Sequence, residues 1–168
     1  PSIHNEHINL YLIIMVLKNF FEFNLESLKL FLNQDLEIEE KKISMRSKQI
    51  WQFVYKKGSF EINNLTTLPL ELRNKLNSLI SLQRPKIINT QTSSDGTIKW
   101  LIKLFDGNEV ECVYIPEKTR ATLCISSQVG CTLNCRFCHT GTQRLVKNLS
   151  FAEIINQVMI AKEQINGW

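Results

Sequence analysis

The chain has 168 residues, a formal net charge of +4 and a hydrophobic content of 43%, values that suit one globular domain or two small ones. Its most apolar early run, residues 10–17, is too short to cross a bilayer, so we expect no membrane partner and no export. The five cysteines are odd in number and three of them cluster, which argues against a disulfide scaffold and favours a reducing compartment, the cytoplasm.

The first half of the chain is predicted to be mainly helical. Residues 1–20 show no clean period and stay an unassigned segment, whereas residues 21–84 are predicted to form a small helical accessory domain of RNA-binding type. Asn24 is placed to cap a first helix, Ser44 to cap a second, and leucines at helical spacing predict a third over residues 68–80. We expect the leucine and tryptophan stripes of these helices to form the core.

The next segment, residues 85–117, changes to a period of two. It predicts a hairpin of strands 87–92 and 97–105 joined by a Ser-Ser-Asp-Gly turn, and a third strand over residues 109–115. Cys112 falls on the apolar face of that third strand. Its expected role is therefore that of a small core residue.

Residues 118–168 are predicted to begin a different architecture. A strand over residues 121–126 leads into a cysteine-rich loop, and Ser150 with Glu153 forms a capping box that opens a helix. Strand, loop and helix are the opening unit of a parallel α/β barrel or sheet, with the chemistry at the carboxyl end of the strand. The predicted fold is therefore α+β followed by the first βα unit of a partial TIM-type barrel, with the remainder missing and the edges of that strand unpaired.

The charge around the cysteine-rich loop has a single sign. From Lys118 to Ala152 the chain has no Asp or Glu, but it has five Lys or Arg residues. Such a stretch suits an anionic substrate such as RNA. A basic surface with no partner would have the same composition, so charge alone leaves both possibilities open.

The cysteine motif gives the strongest chemical signal in the sequence. Cys131, Cys135 and Cys138 stand at C-x3-C-x2-C, with Phe137 before the third, which is the signature of radical-SAM enzymes. Three thiolates can hold three irons of a 4Fe-4S cluster and leave the fourth iron open for S-adenosylmethionine (SAM). The alternatives are a zinc knuckle or three ordinary buried cysteines. Zinc sites usually need a fourth ligand at a second paired spacing, and only His139 is near.

Four segments resemble one particular family: Ser93–Trp100, Val110–Glu117, Arg120–Cys131 and Gly141–Ser150. They look like the RlmN family of radical-SAM RNA methyltransferases. That family acts on carbon 2 of adenosine in 23S ribosomal RNA and in certain transfer RNAs. The resemblance runs from about Asn24 to the end of the chain and does not cover the first 20 residues.

The resemblance implies roles for particular residues. It makes Cys131, Cys135 and Cys138 the ligands of a 4Fe-4S cluster that binds SAM, and it implies an electron-donor protein that reduces the cluster. Cys124, seven residues before the first ligand, falls where the family has its second catalytic cysteine. Glu111 matches a family acidic residue close to the target base.

The resemblance also implies a mechanism that this chain cannot complete alone. In the family, one SAM methylates a cysteine near the C terminus, and a radical made from a second SAM removes a hydrogen atom from that methyl group. The carbon radical adds to the adenine, and the cysteine at the Cys124 position resolves the adduct by forming a disulfide. This chain has no cysteine after Cys138 and lacks the later βα units. We therefore expect it to be the N-terminal part of such an enzyme, truncated and inactive by itself.

Three alternatives stay open from the sequence. The related methyltransferase Cfr modifies carbon 8 of the same adenosine, although residues 93–100 and 120–131 are closer to the RlmN family. The helices and hairpins could also serve as an RNA-binding module without catalysis. A structural iron-sulfur or zinc protein would bind metal and ignore SAM.

Overall fold

A computed structural model of the chain describes residues 17–130 and 144–165. The chain divides into two compact units, one ending at Gln83 and the other beginning at Arg84. Most of the unassigned N-terminal segment lies outside the described residues. In the described residues, no helix is both long and apolar enough to cross a membrane.

The first unit is mainly helical, as its leucine spacing predicts. In its described residues, two very short parallel strands pair with each other, and three short helical turns lie before the first of the longer helices or between the second and third. The paired strands are β1 (Lys18–Asn19) and β2 (Ile80–Ser81), and the helices are α1 (Leu25–Gln34), α2 (Glu40–Trp51) and α3 (Leu70–Leu79). The helical turns are Phe20–Glu22, Gln52–Lys56 and Ile62–Asn64.

The helix caps of the first unit confirm one prediction and correct another. Asn24 caps α1 through a reciprocal capping box with Ser27. The prediction that Ser44 caps the second helix is wrong, because α2 begins four residues earlier, at Glu40. Glutamates at that end favour an earlier start, since negative charge is stabilised by the helix dipole at an N-terminus.

The core of the first unit is built from leucines and aromatic rings. Leu28, Leu32 and Leu76 are fully buried, which confirms the predicted core role of the leucine stripes. The buried ring of Phe20 lies 5.9 Å from that of Tyr55, centroid to centroid. Burial raises the pKa of the Tyr55 phenol to about 12.

The described residues of the second unit form a four-stranded antiparallel sheet in the order β3-β4-β5-β6, a two-stranded ribbon and one helix. The sheet confirms the predicted hairpin and third strand. Its strands are β3 (Lys86–Thr92), β4 (Ile98–Lys103), β5 (Glu109–Pro116) and β6 (Ala121–Cys124). The ribbon consists of β7 (Gln128–Val129) and β8 (Lys147–Asn148), and the helix is α4 (Phe151–Gln164).

One face of the sheet forms the core of this unit. Trp100 pairs across the strands with Cys112, and Ile102 pairs with Val110. All four side chains are buried in one cluster that also contains Ile160 of α4. Cys112 is therefore a core residue, as the alternation of β5 predicts, and burial is the main cause that raises the pKa of its thiol to about 12.

The strand that precedes the cysteine motif differs from its prediction. It ends at Cys124, and it pairs antiparallel with β5, so the expectation of two unpaired edges is wrong. The reason is the short connection between β5 and β6, where the Glu117 N–H donates to the Arg120 carbonyl at 2.8 Å. A connection this short joins antiparallel neighbours, because parallel strands need a long crossover. The proposed division into functional domains stays a prediction.

Candidate functional site

The two residues to which the resemblance assigns catalytic roles lie on one face of the sheet. Cys124 is directly opposite Val113 in the antiparallel register, and Glu111 is two residues before Val113. Paired residues share a face and alternate residues along a strand share it too, so all three side chains lie opposite the core face. Cys124 and Glu111 are both exposed, and Cys124 is a free thiol.

A lysine of the neighbouring strand holds the Glu111 carboxylate. Lys99 Nζ lies 3.0 Å from Glu111 Oε1, and the two side chains are 39% and 48% exposed. Lys99 is also directly opposite Val113, in the same cross-strand row as Cys124. An ion pair this exposed adds little stability. Its effect is to orient the carboxylate on the face that carries the thiol.

The segment after Cys124 is fixed by side-chain hydrogen bonds. The Ser126 N–H donates to Oε1 of Gln157 at 2.8 Å, and Nε2 of Gln157 donates to the Ser126 carbonyl at 2.9 Å. The Ser126 hydroxyl donates to the Glu111 carbonyl at 2.8 Å. The chain therefore stays beside β5 for two residues beyond the end of β6.

The flanking ribbon, β7 with β8, joins the residues on either side of segment 131–143. Besides its strand pairing, the Val146 N–H donates to the Val129 carbonyl at 2.8 Å. Gly130 has a φ of +74°, and a Cβ on it would lie 2.1 Å from the Arg144 carbonyl oxygen. This position therefore requires glycine, both for its backbone conformation and for the close approach.

Lys147 ties the flanking ribbon to two other elements. Its ammonium bonds the carboxylate of Asp106, in the turn after β4, and lies 2.6 Å from Oε1 of Glu153. The hydrogen bond from Lys147 is the main cause that lowers the pKa of Asp106 to about 2. Glu153 also completes the predicted capping box with Ser150 at the start of α4. Lys147 thereby holds together the ribbon, the start of α4 and the turn after β4.

The basic stretch is partly neutralised in the structure. Lys147 pairs with two carboxylates, and Arg120 Nε lies 2.8 Å from Glu117 Oε2. These acidic partners lie outside the stretch from Lys118 to Ala152 in the sequence. Folding thus lowers the local positive charge that the sequence indicates.

The predicted cluster ligands Cys131, Cys135 and Cys138 lie outside the described residues, so their role stays a prediction. Within residues 17–130 and 144–165, no group of three or more His, Cys, Asp or Glu side chains is placed to hold a metal ion. The donor set itself fits an iron-sulfur cluster, because three thiols fall in one short segment whose flanks are joined. The part of the chain that the structure describes gives no support for a disulfide, since its two cysteines, Cys112 and Cys124, are both free.

Comparison with solved structures first defines a class. The chain matches the crystal structure of a radical SAM methyltransferase from Sphaerobacter thermophilus with a TM-score of 0.75 and 30% sequence identity. The match covers 88% of this chain and 42% of that one. The mixed α/β fold is thus that of part of a radical SAM methyltransferase, a class of enzymes whose cofactors are a 4Fe-4S cluster and SAM.

Curated relatives narrow the class to one kind of enzyme. The chain is 47% identical over 140 residues to the dual-specificity RNA methyltransferase RlmN of Bradyrhizobium sp. (strain ORS 278), covering 80% of this chain and 35% of that protein. It is 51% identical over 130 residues to RlmN of Rhodopseudomonas palustris (strain BisB5), covering 74% of this chain and 33% of that protein. The predicted resemblance to RlmN is confirmed.

The matches to the curated relatives cover only part of those proteins. The chain spans about a third of the length of the curated relatives it matches. A search of protein-family profiles finds no match to the chain.

Sequence reasoning missed three residues of this site: Lys99, Gly130 and Gln157. The sequence could have pointed to Lys99, because strand alternation places it on the same face as Glu111. It could also have pointed to Gly130, because this glycine stands directly before the first motif cysteine. No sequence feature points to Gln157, because a polar residue in a helix pattern is expected to face solvent.

Proposed function

We propose that the protein is a radical-SAM RNA methyltransferase of the RlmN type, which methylates carbon 2 of adenosine in 23S ribosomal RNA and in transfer RNA. The observation that carries the proposal is the shared open face of Cys124 and Glu111, directly ahead of the cysteine motif. The identity with RlmN enzymes over about three quarters of the chain supports it.

In this proposal, Cys131, Cys135 and Cys138 hold the 4Fe-4S cluster. When bound, the cluster supplies the electron that cleaves SAM and starts the radical chemistry. The flanking ribbon holds both ends of the ligand segment together. Gly130 allows that approach, because no Cβ stands between its backbone and the Arg144 carbonyl.

Cys124 and Glu111 have distinct roles in the proposal. The Cys124 thiol is exposed and free, as a nucleophile toward a second sulfur must be. Cys124 loses its thiol proton and attacks the second sulfur, so that a sulfur–sulfur bond forms and the bond from that sulfur to the product carbon breaks. The carbon keeps the electron pair and takes a proton to become the methyl group of the released RNA. Glu111 lies beside the target adenine, and Lys99 orients its carboxylate. The second sulfur belongs to a cysteine that these 168 residues do not contain.

The partners follow from the same chemistry. RNA is the substrate, and an electron-donor protein reduces the cluster. Both are cytoplasmic, which suits a chain with free thiols. Phosphate contacts would make RNA binding weaken as salt increases.

Protection of Cys124 by RNA tests the proposed site. Peptide-resolved alkylation with iodoacetamide measures the rate at Cys124, with and without a 23S ribosomal RNA fragment that contains the target adenosine. We expect the fragment to slow alkylation of Cys124 at low salt, because the target base covers this face. Buried Cys112 serves as an internal control that RNA does not affect.

Methylated RNA fragments test which carbon of the target adenosine faces the site. A fragment with 2-methyladenosine at the target position should protect Cys124 less than the unmodified fragment, because its methyl group fills the space at carbon 2. A fragment with 8-methyladenosine should protect fully. Weaker protection by the 8-methyladenosine fragment than by the 2-methyladenosine fragment would favour a Cfr-like carbon 8 enzyme. Cys124 alkylation rates that are the same without RNA and with each of the three fragments would contradict the proposal.

A further inference from the structure

Gln157 is a completely buried polar residue in the second unit. Its side chain bonds the main chain of Ser126 at two points, and its Nε2 also donates to the Glu153 carbonyl, within α4, at 3.3 Å. Its Oε1 accepts from the Ser126 N–H, and its Nε2 donates to the Ser126 carbonyl. Burying an amide costs free energy unless both ends are hydrogen-bonded. Both ends of Gln157 are bonded, and two of its three bonds go to the main chain of Ser126, in the segment that follows Cys124.

The position of Ser126 gives this contact its significance. The pairing of β6 with β5 ends at Cys124, opposite Val113. Ser126 lies two residues farther on and bonds the Glu111 carbonyl through its hydroxyl. Gln157 thus holds in place the residue that bridges the strand of Glu111 and the strand of Cys124. It does so from α4, the helix that follows the cysteine motif.

We propose that Gln157 is a positioning residue, which fixes Cys124 and Glu111 relative to each other and to α4. Without the amide, Ser126 loses both main-chain bonds to the helix, and the end of β6 can separate from β5. The roles of Cys124 and Glu111 rest on the proposed function. Their positioning can be measured without cluster, SAM or RNA, so the two proposals can fail independently.

The test compares two Gln→Met substitutions in the whole chain. Q157M keeps an unbranched side chain of similar length and removes both bonds to Ser126, together with the longer bond from Nε2 to the Glu153 carbonyl within α4. Q128M is the matched control, because Gln128 lies in the flanking ribbon and its Nε2 donates to the Asn148 side chain, at 2.8 Å, and not to Ser126. Two readouts are taken: hydrogen exchange of the Ser126 amide and the alkylation rate of Cys124 by tandem mass spectrometry.

We expect Q157M to speed exchange at Ser126 about tenfold, because the amide loses its acceptor. We also expect its Cys124 alkylation rate to move about threefold or more toward that of the urea-unfolded chain. Cys112, on the opposite face of the same sheet, should stay protected in both variants. Q128M should leave the Ser126 and Cys124 readouts at their natural values.

A second variant separates positioning from general stability. Q157E keeps an acceptor for the Ser126 N–H but places a carboxylate oxygen against the Ser126 carbonyl. It should shift the Cys124 rate in the same direction while Cys112 stays protected. Two outcomes would overturn the proposal: unchanged Ser126 and Cys124 readouts in Q157M, or exposure of Cys112 in step with Cys124 in both Gln157 variants, which would make Gln157 a residue of the general fold only.

Discussion

Single residues decide whether the open face of β5 and β6 can act as a site. Strand alternation predicted that Cys112 is buried, and the structure confirms it. The exposure of Cys124 depends on which strand pairs with β6, and a sequence pattern does not name that partner. Gly130 is a second such residue. It must be glycine because a Cβ there would overlap the carbonyl oxygen of Arg144, which lies 14 residues away in the sequence.

Substituting Gly130 tests the close approach of the flanking ribbon. G130A adds a Cβ that would overlap the Arg144 carbonyl oxygen, in a left-handed backbone that already disfavours alanine. The control is G107A, because Gly107 has a φ of +89° and open space around its Cβ position. We expect G130A to lower the free energy of unfolding by about 1–3 kcal/mol more than G107A, measured by urea denaturation. Equal losses would show that the contact at 130 relaxes freely.

The buried thiol of Cys112 should make stability depend on alkaline pH. Its pKa in the folded chain is about 12, against 9.0 for an accessible thiol. The folded state therefore keeps the proton longer, and this contribution is complete below pH 9 and is lost as the pH rises from 9 toward 12. Urea denaturation at increasing pH should show a loss that C112A reduces and C124S does not. An identical pH dependence in the natural chain and C112A would contradict the burial argument.

At the scale of elements, the sequence predicts those that local signals define. The Asn24 cap and the turn before β4 placed α1 and the hairpin correctly, because each depends on a few neighbouring residues. The antiparallel partner of β6 was missed, because the pattern of a strand gives its faces and not its neighbour. The Gln157 contact with Ser126 was missed for a related reason: it joins residues 31 positions apart.

The capping box of α4 gives a prediction at this scale. The Ser150 hydroxyl accepts the Glu153 N–H, and Glu153 returns a bond to the Ser150 N–H while it also pairs with Lys147. S150A should therefore cost about 1 kcal/mol of unfolding free energy. The control is S94A, at an exposed turn position. A loss no larger in S150A than in S94A, by urea denaturation, would mean that tertiary packing alone holds the helix start.

At the scale of the whole molecule, the sequence overstates the positive charge around the cysteine motif. The single-sign stretch around the cysteine motif acquires carboxylate partners from Asp106 and Glu117 on folding. Composition reports charge and not pairing, so this neutralisation could not be predicted. The similarity to RlmN enzymes was predictable, because four segments carry it in linear order.

The central claim is that Cys131, Cys135 and Cys138 form a radical-SAM cluster site. The most direct measurement is the electron paramagnetic resonance spectrum of the reduced chain, reconstituted with iron and sulfide without oxygen, before and after addition of SAM. We predict a 4Fe-4S signal that changes with SAM, is lost in C131A and persists in C112A. A chain that forms no cluster, takes up zinc instead, or forms a cluster whose spectrum ignores SAM would contradict the claim.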